Sequence, residues 1–322
     1  MTARPVLAVT GATGFIGQAL LDAAFADNWQ PRILARRYPR DCLMPGRVIE
    51  VVPGDLNDSV ALGKLVDGAT AIVHLAGLIK ALHAREFLTA NAGGTERILR
   101  AAQAVNPAAA FLYVSSLAAR EADLSPYAAS KWASEEKVRE LAGSRPWAII
   151  RPPAVYGPGD TATLPLFRAA HRGLLPYPAP PNARVSLIHV DDLVAVFLAM
   201  LRQLQSGGLP SGYLAEIDDG YPGGHDWTGM LAALRQAVGH PIRSLRLPRW
   251  LVLPVAATNA LLCRLRGRAD VFVPAKLAEL YHADWAVTPS ELPKIVGWQP
   301  RFDLEKGFSN TFRWYRDHSL IT

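Results

Sequence analysis

The sequence predicts an α/β protein: a doubly wound parallel sheet covered by helices on both faces, with a smaller C-terminal lobe attached. Three observations lead there. Up to Arg151, short β-rich apolar runs alternate with longer helical patterns, the signature of repeated βα units and of strands buried on both faces. A glycine-rich turn closes the first of those runs. Beyond Arg151, proline and glycine become dense and the alternation is lost, which marks a change of architecture.

Strands are expected at residues 6–10, 32–35, 48–52, 71–75, 110–115 and 147–151, with helices between them. The run Val185-Ser-Leu-Ile-His-Val-Asp-Asp192, followed by a helical pattern over 193–204, reads as one more βα unit that returns to the first lobe. The chain then divides into a first domain over residues 1–155, joined again by 185–205, and a second lobe made mainly of 156–184 and 206–322. No internal repeat or low-complexity tract interrupts this order.

At 322 residues, 50% apolar and 19% charged, the composition is that of a folded globular protein and excludes a disordered scaffold. The net charge of +6 comes from 34 basic residues spread among 28 acidic ones rather than gathered in runs. A small anionic ligand accounts for that balance, and no nucleic-acid partner is expected. Cys42 and Cys263 alone make neither a disulfide framework nor a metal-ligand cluster, and none of the histidines shows metal-ligand spacing. The N-terminus runs straight into the first strand with no secretory pattern, so a reducing, cytoplasmic location is expected. The stretch over 250–265 is the most lipid-like, but Pro254, Thr258, Asn259 and Arg264 interrupt it, and it is shorter than the roughly 20 apolar residues that span a bilayer. It reads first as a buried or domain-packing helix and second as a helix touching a membrane surface; stable insertion is not expected.

Thr10-Gly-Ala-Thr-Gly-Phe-Ile-Gly17 sits where the first strand ends and a helix begins, the place where backbone N–H groups and the positive end of a helix dipole receive a pyrophosphate. Gly11 permits the tight turn, Gly14 lets the backbone approach the phosphates, and Gly17 lets the helix pack close to the strand. Thr13, Phe15 and Ile16 complete the loop. The spacing is GxxGxxG, so the Rossmann fingerprint is matched in mechanism but not letter for letter. Ala35-Arg36-Arg37 ends the second strand with no acid, which predicts NADP(H) as the preferred cofactor over NAD(H), with Arg36 and then Arg37 as partners of the 2′-phosphate. The alternative is that both are solvated loop charges. Asp55 is placed to accept from the adenine amino group with Leu56 packing on the ring; it could equally cap the helix that starts near Asp58.

Tyr127 and Lys131, four apart in Ser-Pro-Tyr-Ala-Ala-Ser-Lys131, share one face of a helix. A lysine ammonium beside a phenol is expected to lower the phenol's pKa towards the working range, making Tyr127 an acid/base for a hydroxyl or carbonyl oxygen. Ser115 and Ser116 end the fifth strand, and Ser116 is the choice for holding the substrate oxygen; the alternative for either serine is a turn or helix cap. The catalytic set is therefore Ser116, Tyr127 and Lys131, with no metal.

Together with His74-Leu-Ala-Gly77, Asn91, Gly94-Thr95, Arg151-Pro-Pro-Ala-Val-Tyr-Gly-Pro158, His189-Val-Asp-Asp192 and Gly297-Trp-Gln-Pro300, these residues resemble the extended short-chain dehydrogenase/reductase family, also called the NAD(P)-dependent epimerase/dehydratase family, over nearly the whole chain. The resemblance implies a Rossmann-type sheet with a smaller C-terminal substrate-binding lobe. It implies that Leu75, Ala76 and Gly77 border the cofactor, that Tyr127 and Lys131 reach the nicotinamide ribose, and that Pro152 lies near the carboxamide. It makes Asn91 a structural or proton-relay residue, His189 architectural and a homodimer the expected assembly.

Two departures bear on the substrate. Sugar-nucleotide epimerases of the family carry Asn where Ala154 stands, and many have Val-Tyr-Gly in place of Ala118-Ala119-Arg120. The Leu-, Val-, Ala- and Trp-rich stretch over 209–287 resembles the cap of hydroxysteroid-dehydrogenase-like and dihydroflavonol-reductase-like members. The first expectation is an NAD(P)-dependent oxidoreductase passing a hydride to or from a ketone or secondary alcohol of a fairly apolar small molecule. The alternatives are a nucleotide-sugar epimerase or dehydratase, and a non-catalytic dinucleotide-binding subunit.

Overall fold

The structure, a computed structural model, describes residues 4–37, 48–270 and 272–322. The chain builds β1 (Val6–Thr10), α1 (Phe15–Ala26), β2 (Gln30–Ala35), β3 (Glu50–Pro53), α2 (Ser59–Val66), β4 (Ala71–His74), α3 (Ala84–Ala90), α4 (Ala92–Val105), β5 (Ala110–Val114), a 3-10 helix (Leu117–Leu124), α5 (Pro126–Leu141) and β6 (Trp147–Arg151). There follow β7 (Ala154–Tyr156), α6 (Leu164–His171), β8 (Leu174–Pro178), β9 (Arg184–Val185), β10 (Leu187–His189), α7 (Val190–Ser206) and β11 (Tyr213–Glu216). Last come α8 (Trp227–Val238), β12 (Arg243–Leu247), α9 (Arg249–Arg266), α10 (Pro274–Leu280), β13 (Asp284–Trp285), α11 (Leu292–Val296) and α12 (Leu304–Asp317).

Seven strands form one parallel sheet in the order β11-β6-β5-β4-β1-β2-β3. Alternation along each strand divides the apolar residues between the faces. Leu7, Val9, Val73, Leu112 and Ile150 meet α1 and α7 through Leu20, Ala24, Phe197 and Leu201. Ala8, Ile72, Phe111 and Ile149 meet α2, α4 and α5 through Leu62, Leu65, Leu99 and Val138. Because β4 and β5 are buried along their whole length, the sheet needs helices on both sides, as parallel sheets do.

The strand expected within 185–192 does not join this sheet. β10 pairs in parallel with β7, Leu187 against Ala154 and His189 against Tyr156, while α7 packs on the sheet. The seventh sheet strand is instead β11, paired with β6. It is short, half-exposed over Tyr213 and Leu214 and ends in Glu216, so it lacks the apolar run by which the other strands announce themselves. The second lobe has its own core of Tyr156, Phe167, Leu234, Phe308, Phe312 and Tyr315. The helix over 250–265 is also not a buried one: within α9 only Val252 and Ala256 are buried. Its apolar residues lie all around the helix, and a single stripe of them packs against Leu277.

Glycine at 17 is demanded by packing alone, since a Cβ there would lie 2.3 Å from the Gly11 carbonyl oxygen and 2.6 Å from the Ala12 Cα. Gly17→Ala is expected to lower the unfolding free energy in urea by about 1–3 kcal/mol, the range for an overpacked backbone contact. Gly14→Ala, whose Cβ would meet nothing nearer than 3.4 Å, should cost less than about 1 kcal/mol. Equal losses would show that the two glycines serve the same end.

Candidate active site

The strand order reverses between β1 and β4, and in open α/β sheets ligands lie at the carboxyl ends of the strands at such a switch point. Gly11 sits there with φ +74°, and a Cβ on it would come 2.7 Å from the Ala76 nitrogen, so the loops after β1 and β4 touch. Gly14 caps α1 with extended backbone, no side chain caps the first turn and no acid lies in it, which leaves its N–H groups for an anion. A Cβ on Gly14 would meet the protein no nearer than 3.4 Å, so the space before the turn is open to a ligand. The loop fits a dinucleotide pyrophosphate on this ground.

The other loop residues divide. Thr13 is exposed, with its carbonyl accepting from Gln18 at 3.1 Å, and Ile16 packs on the core. Phe15 borders a groove of about 900 Å³ between α1 and α7 that contains none of Ser116, Tyr127 and Lys131. Leu75 and Ala76 are half-buried and Gly77 exposed. Asp55 accepts from the Asn57 N–H at 2.7 Å, a turn contact, and it is Asp58 that caps α2. Leu56 fills the space that a Cβ on Gly94 would take, at 2.7 Å. Arg36 and Arg37 stand exposed just past β2. Pro152 is buried, its carbonyl accepting from Leu117 at 2.8 Å.

α5 begins where it does because Ser125 accepts from the Ala128 N–H at 3.0 Å and proline occupies the first turn, both strong helix-start signals. That start places Tyr127 in the first turn. Of the two serines ending β5, Ser115 is committed elsewhere, donating to Glu135 at 2.6 Å. Ser116 accepts from the Ala118 N–H at 3.2 Å as a cap, and its hydroxyl lies near enough to the Tyr127 phenol to act on its pKa. Lys131 is buried, donates to the Val114 carbonyl at 2.8 Å and lies 4.7 Å from the Tyr113 ring centre.

The electrostatics correct the expected effect of lysine on tyrosine. Burial pushes the Tyr127 phenol up to about 12; its Ser116 hydrogen bond opposes the rise and the Glu279 carboxylate adds to it. Burial pushes the Lys131 amine down to about 7, with Glu135 opposing. The physical reason is burial first; the Lys131 amine donates to the Val114 carbonyl, and the formal charge acting on the phenol is Glu279's.

Glu279 and Lys276 were not visible in the sequence. They are an ion pair on α10. Ser125 donates to Glu279 at 2.6 Å, and the Lys276 ammonium lies 5.6 Å from the Tyr127 ring centre. Phe87 on α3 meets the same ring edge-on at 6.1 Å. Sequence spacing offers no signal for a contact between residues so far apart. Around Tyr127 these groups enclose a cavity of about 270 Å³, walled by Ile79, Leu82, Phe87, Ala260 and Val273 among others.

Asn91 is buried and fixes the loop after β4, accepting from the Leu78 N–H at 2.6 Å and donating to the Leu78 carbonyl at 3.1 Å and to Ser130 at 2.8 Å. His74 is hydrogen-bonded with Thr10 at 2.6 Å and Thr95 at 3.1 Å. Its burial, together with the Lys131 charge, holds the ring neutral with a pKa near about 3. His189 caps α7 and stacks on Phe302 at 3.8 Å. Asp192 accepts from the Arg301 and Phe302 N–H groups at 3.1 and 3.0 Å, so the motif over 189–192 joins α7 to the C-terminal segment.

Fold and site define an α/β dinucleotide-binding protein with a serine, a tyrosine and a lysine gathered at the carboxyl edge of its sheet. Residues 7–214 match the model of the NAD dependent epimerase/dehydratase family, and the chain belongs to that family. It is 41% identical over 314 residues, 98% of this chain and 95% of the other, to the ceramide reductase of Caulobacter vibrioides. It is 25% identical over 333 residues, 94% and 93% of the two chains, to the UDP-glucose 4-epimerase of Vibrio cholerae. The solved structure of MoeE5 in complex with UDP-glucose and NAD shares the fold, with a TM-score of 0.72 at 21% identity and cover of 98% of this chain and 99% of that one.

The Lys131 shift has a consequence for stability. Its folded-state pKa lies near 7 against an ordinary 10.5, so between those values the unfolded chain holds a proton that the folded chain has released. Stability contributed by this position therefore rises with pH through that window. In urea unfolding, wild type is expected to gain on Lys131→Met as pH is raised from 7 towards 10; a difference that stays flat would place the amine's pKa outside that window.

Proposed function

We propose that the protein is a nicotinamide-dependent reductase acting on a ketone of a lipid-like substrate, of the chemical class that a ceramide reductase takes. The observation that carries this reading is the position of the Tyr127 phenol at the wall of a cavity lined largely by apolar side chains. The 41% identity to a ceramide reductase along almost the full length of both chains supports it. Ala154, standing where the family's sugar enzymes carry Asn, speaks against a sugar diphosphate.

A bound nicotinamide supplies the hydride for the carbonyl carbon. The chain's own task is the oxygen: Ser116 donates a hydrogen bond to it and the Tyr127 phenol delivers the proton as the alkoxide forms. A protonated phenol suits reduction, because it enters the step holding the proton to be delivered. Lys131, one turn along the same face of α5, donates to the Val114 carbonyl and so holds the end of β5 beside Ser116. NADP(H) is the preferred dinucleotide in this reading, with the exposed Arg36 at the end of β2 meeting the 2′-phosphate.

Tyr127→Phe should lower kcat for reduction of a long-chain keto amide by about 10²–10⁴-fold, the usual contribution of a positioned acid, with dinucleotide Kd within about twofold of wild type. Unchanged kcat would remove Tyr127 from the mechanism, and turnover of a UDP-sugar would put the epimerase reading in its place. Arg36→Ala is expected to raise the Kd for NADPH about tenfold, the loss of one charge-assisted contact, and to leave NADH binding unchanged. Wild-type protein that binds both dinucleotides equally would contradict the NADP preference.

A further inference from the structure

Among the described residues, nothing covers the outer side of α9. Of its 18 residues only Val252 and Ala256 are buried, one turn apart. At about 100° per residue, Trp250, Leu261, Leu265, Leu251, Leu262 and Val255 fall in that order around the opposite side, over an arc of about 140°. All six are exposed, Trp250 at 74% and Leu265 at 76%. An arc of large apolar side chains facing water on a folded chain marks a docking surface.

The charges around it identify what docks. On the helical projection Arg264 and Arg266 fall at the two borders of the arc, and Arg249 at the start of α9 and Arg243, Arg246 and Arg268 on the flanking segments lie exposed. No aspartate or glutamate occurs between residues 243 and 268. Apolar residues bordered by arginine alone are the composition of a helix that lies in the interface of an anionic bilayer. Two copies meeting through this face would set arginine against arginine, which like charges oppose. Among the described residues no helix is long and apolar enough to cross a membrane, so the attachment is peripheral.

The inner side of the same helix reaches the candidate active site. Ala260, Cys263 and Arg264 wall the cavity that holds Tyr127, so one side of α9 faces outward with its apolar arc while the other borders the substrate space. We propose that α9 seats the protein on an anionic phospholipid surface and that the cavity beside Tyr127 takes its substrate from that surface. The second clause rests on the reductase reading; the first does not.

The test is flotation of the full chain with vesicles of phosphatidylcholine plus phosphatidylglycerol, against phosphatidylcholine alone. The protein should float with the mixed vesicles at low salt and bind about tenfold less or worse without the anionic lipid or at raised salt. Leu261→Glu with Leu265→Glu, two exposed positions outside the cavity, should abolish flotation while leaving thermal unfolding and reduction of a short-chain soluble ketone unchanged. Arg246→Gln, Arg266→Gln and Arg268→Gln together should weaken binding about 100-fold on mixed vesicles. Docking is overturned if wild type stays with the soluble fraction, if the double glutamate variant floats as wild type does, or if that variant merely turns a wild-type dimer into a monomer by light scattering. Protein that floats but reduces no ketone would sink the reductase reading and leave docking intact; protein that reduces a soluble ketone but never floats would do the reverse.

Discussion

The buried carboxylate of Glu135 is the contact on which the site depends. It is fully enclosed, yet Arg151 grips both of its oxygens at 2.8 and 2.7 Å and the Ser115 hydroxyl donates at 2.6 Å. An unpaired charge at that depth would be strongly destabilising; a bidentate guanidinium and a hydroxyl satisfy it. The three residues come from α5, β6 and the end of β5, so the pairing sets the register of α5 on the sheet. Tyr127 and Lys131 lie earlier on the same helix, and that register brings them to the carboxyl edge beside Ser116.

The same charges continue into the second lobe. Arg151 also meets Glu216 of β11 at 3.5 Å, and Glu216 meets Arg120 at 3.5 Å and accepts from the Thr288 N–H at 3.1 Å. Arg120 in turn donates to the Ala286 and Asp284 carbonyls at 2.8 and 2.7 Å. A continuous set of ionic and hydrogen-bonded contacts thus holds the segment after α10 against the 3-10 helix that follows Ser116. Ser125, donating from the start of α5 to Glu279 of α10, closes the other side. The wall of the Tyr127 cavity and the sheet edge are held as one unit, which suits a site that depends on excluding water.

What the sequence showed, it showed through local chemistry. The strands 6–10 and 147–151 have the expected bounds, and the glycine turn lies at the switch point, because apolar alternation and backbone-demanding glycines act over a few residues. Ser116 and Tyr127 come together as their positions at a strand end and a helix start require. What was not legible depends on contacts across the chain. β11 carries too little apolar sequence to be read as a strand, and Glu279 and Lys276 reach Tyr127 from α10. The direction of the Tyr127 shift follows from burial and from a carboxylate far away in sequence, neither of which a four-residue spacing reveals. The exposure of α9 was hidden for the opposite reason: an apolar stretch looks the same in sequence whether it is covered or not.

If this edge of the sheet reduces a ketone, the fate of the hydride shows it. Purified protein would be given a long-chain keto amide and NADPH carrying deuterium at the transferable position of nicotinamide C4, and the product analysed by mass spectrometry and NMR. The expected product is an alcohol with one deuterium on the carbinol carbon, formed with stoichiometric loss of NADPH. Unlabelled or unchanged keto amide, with a UDP-sugar instead epimerised without net consumption of dinucleotide, would contradict it.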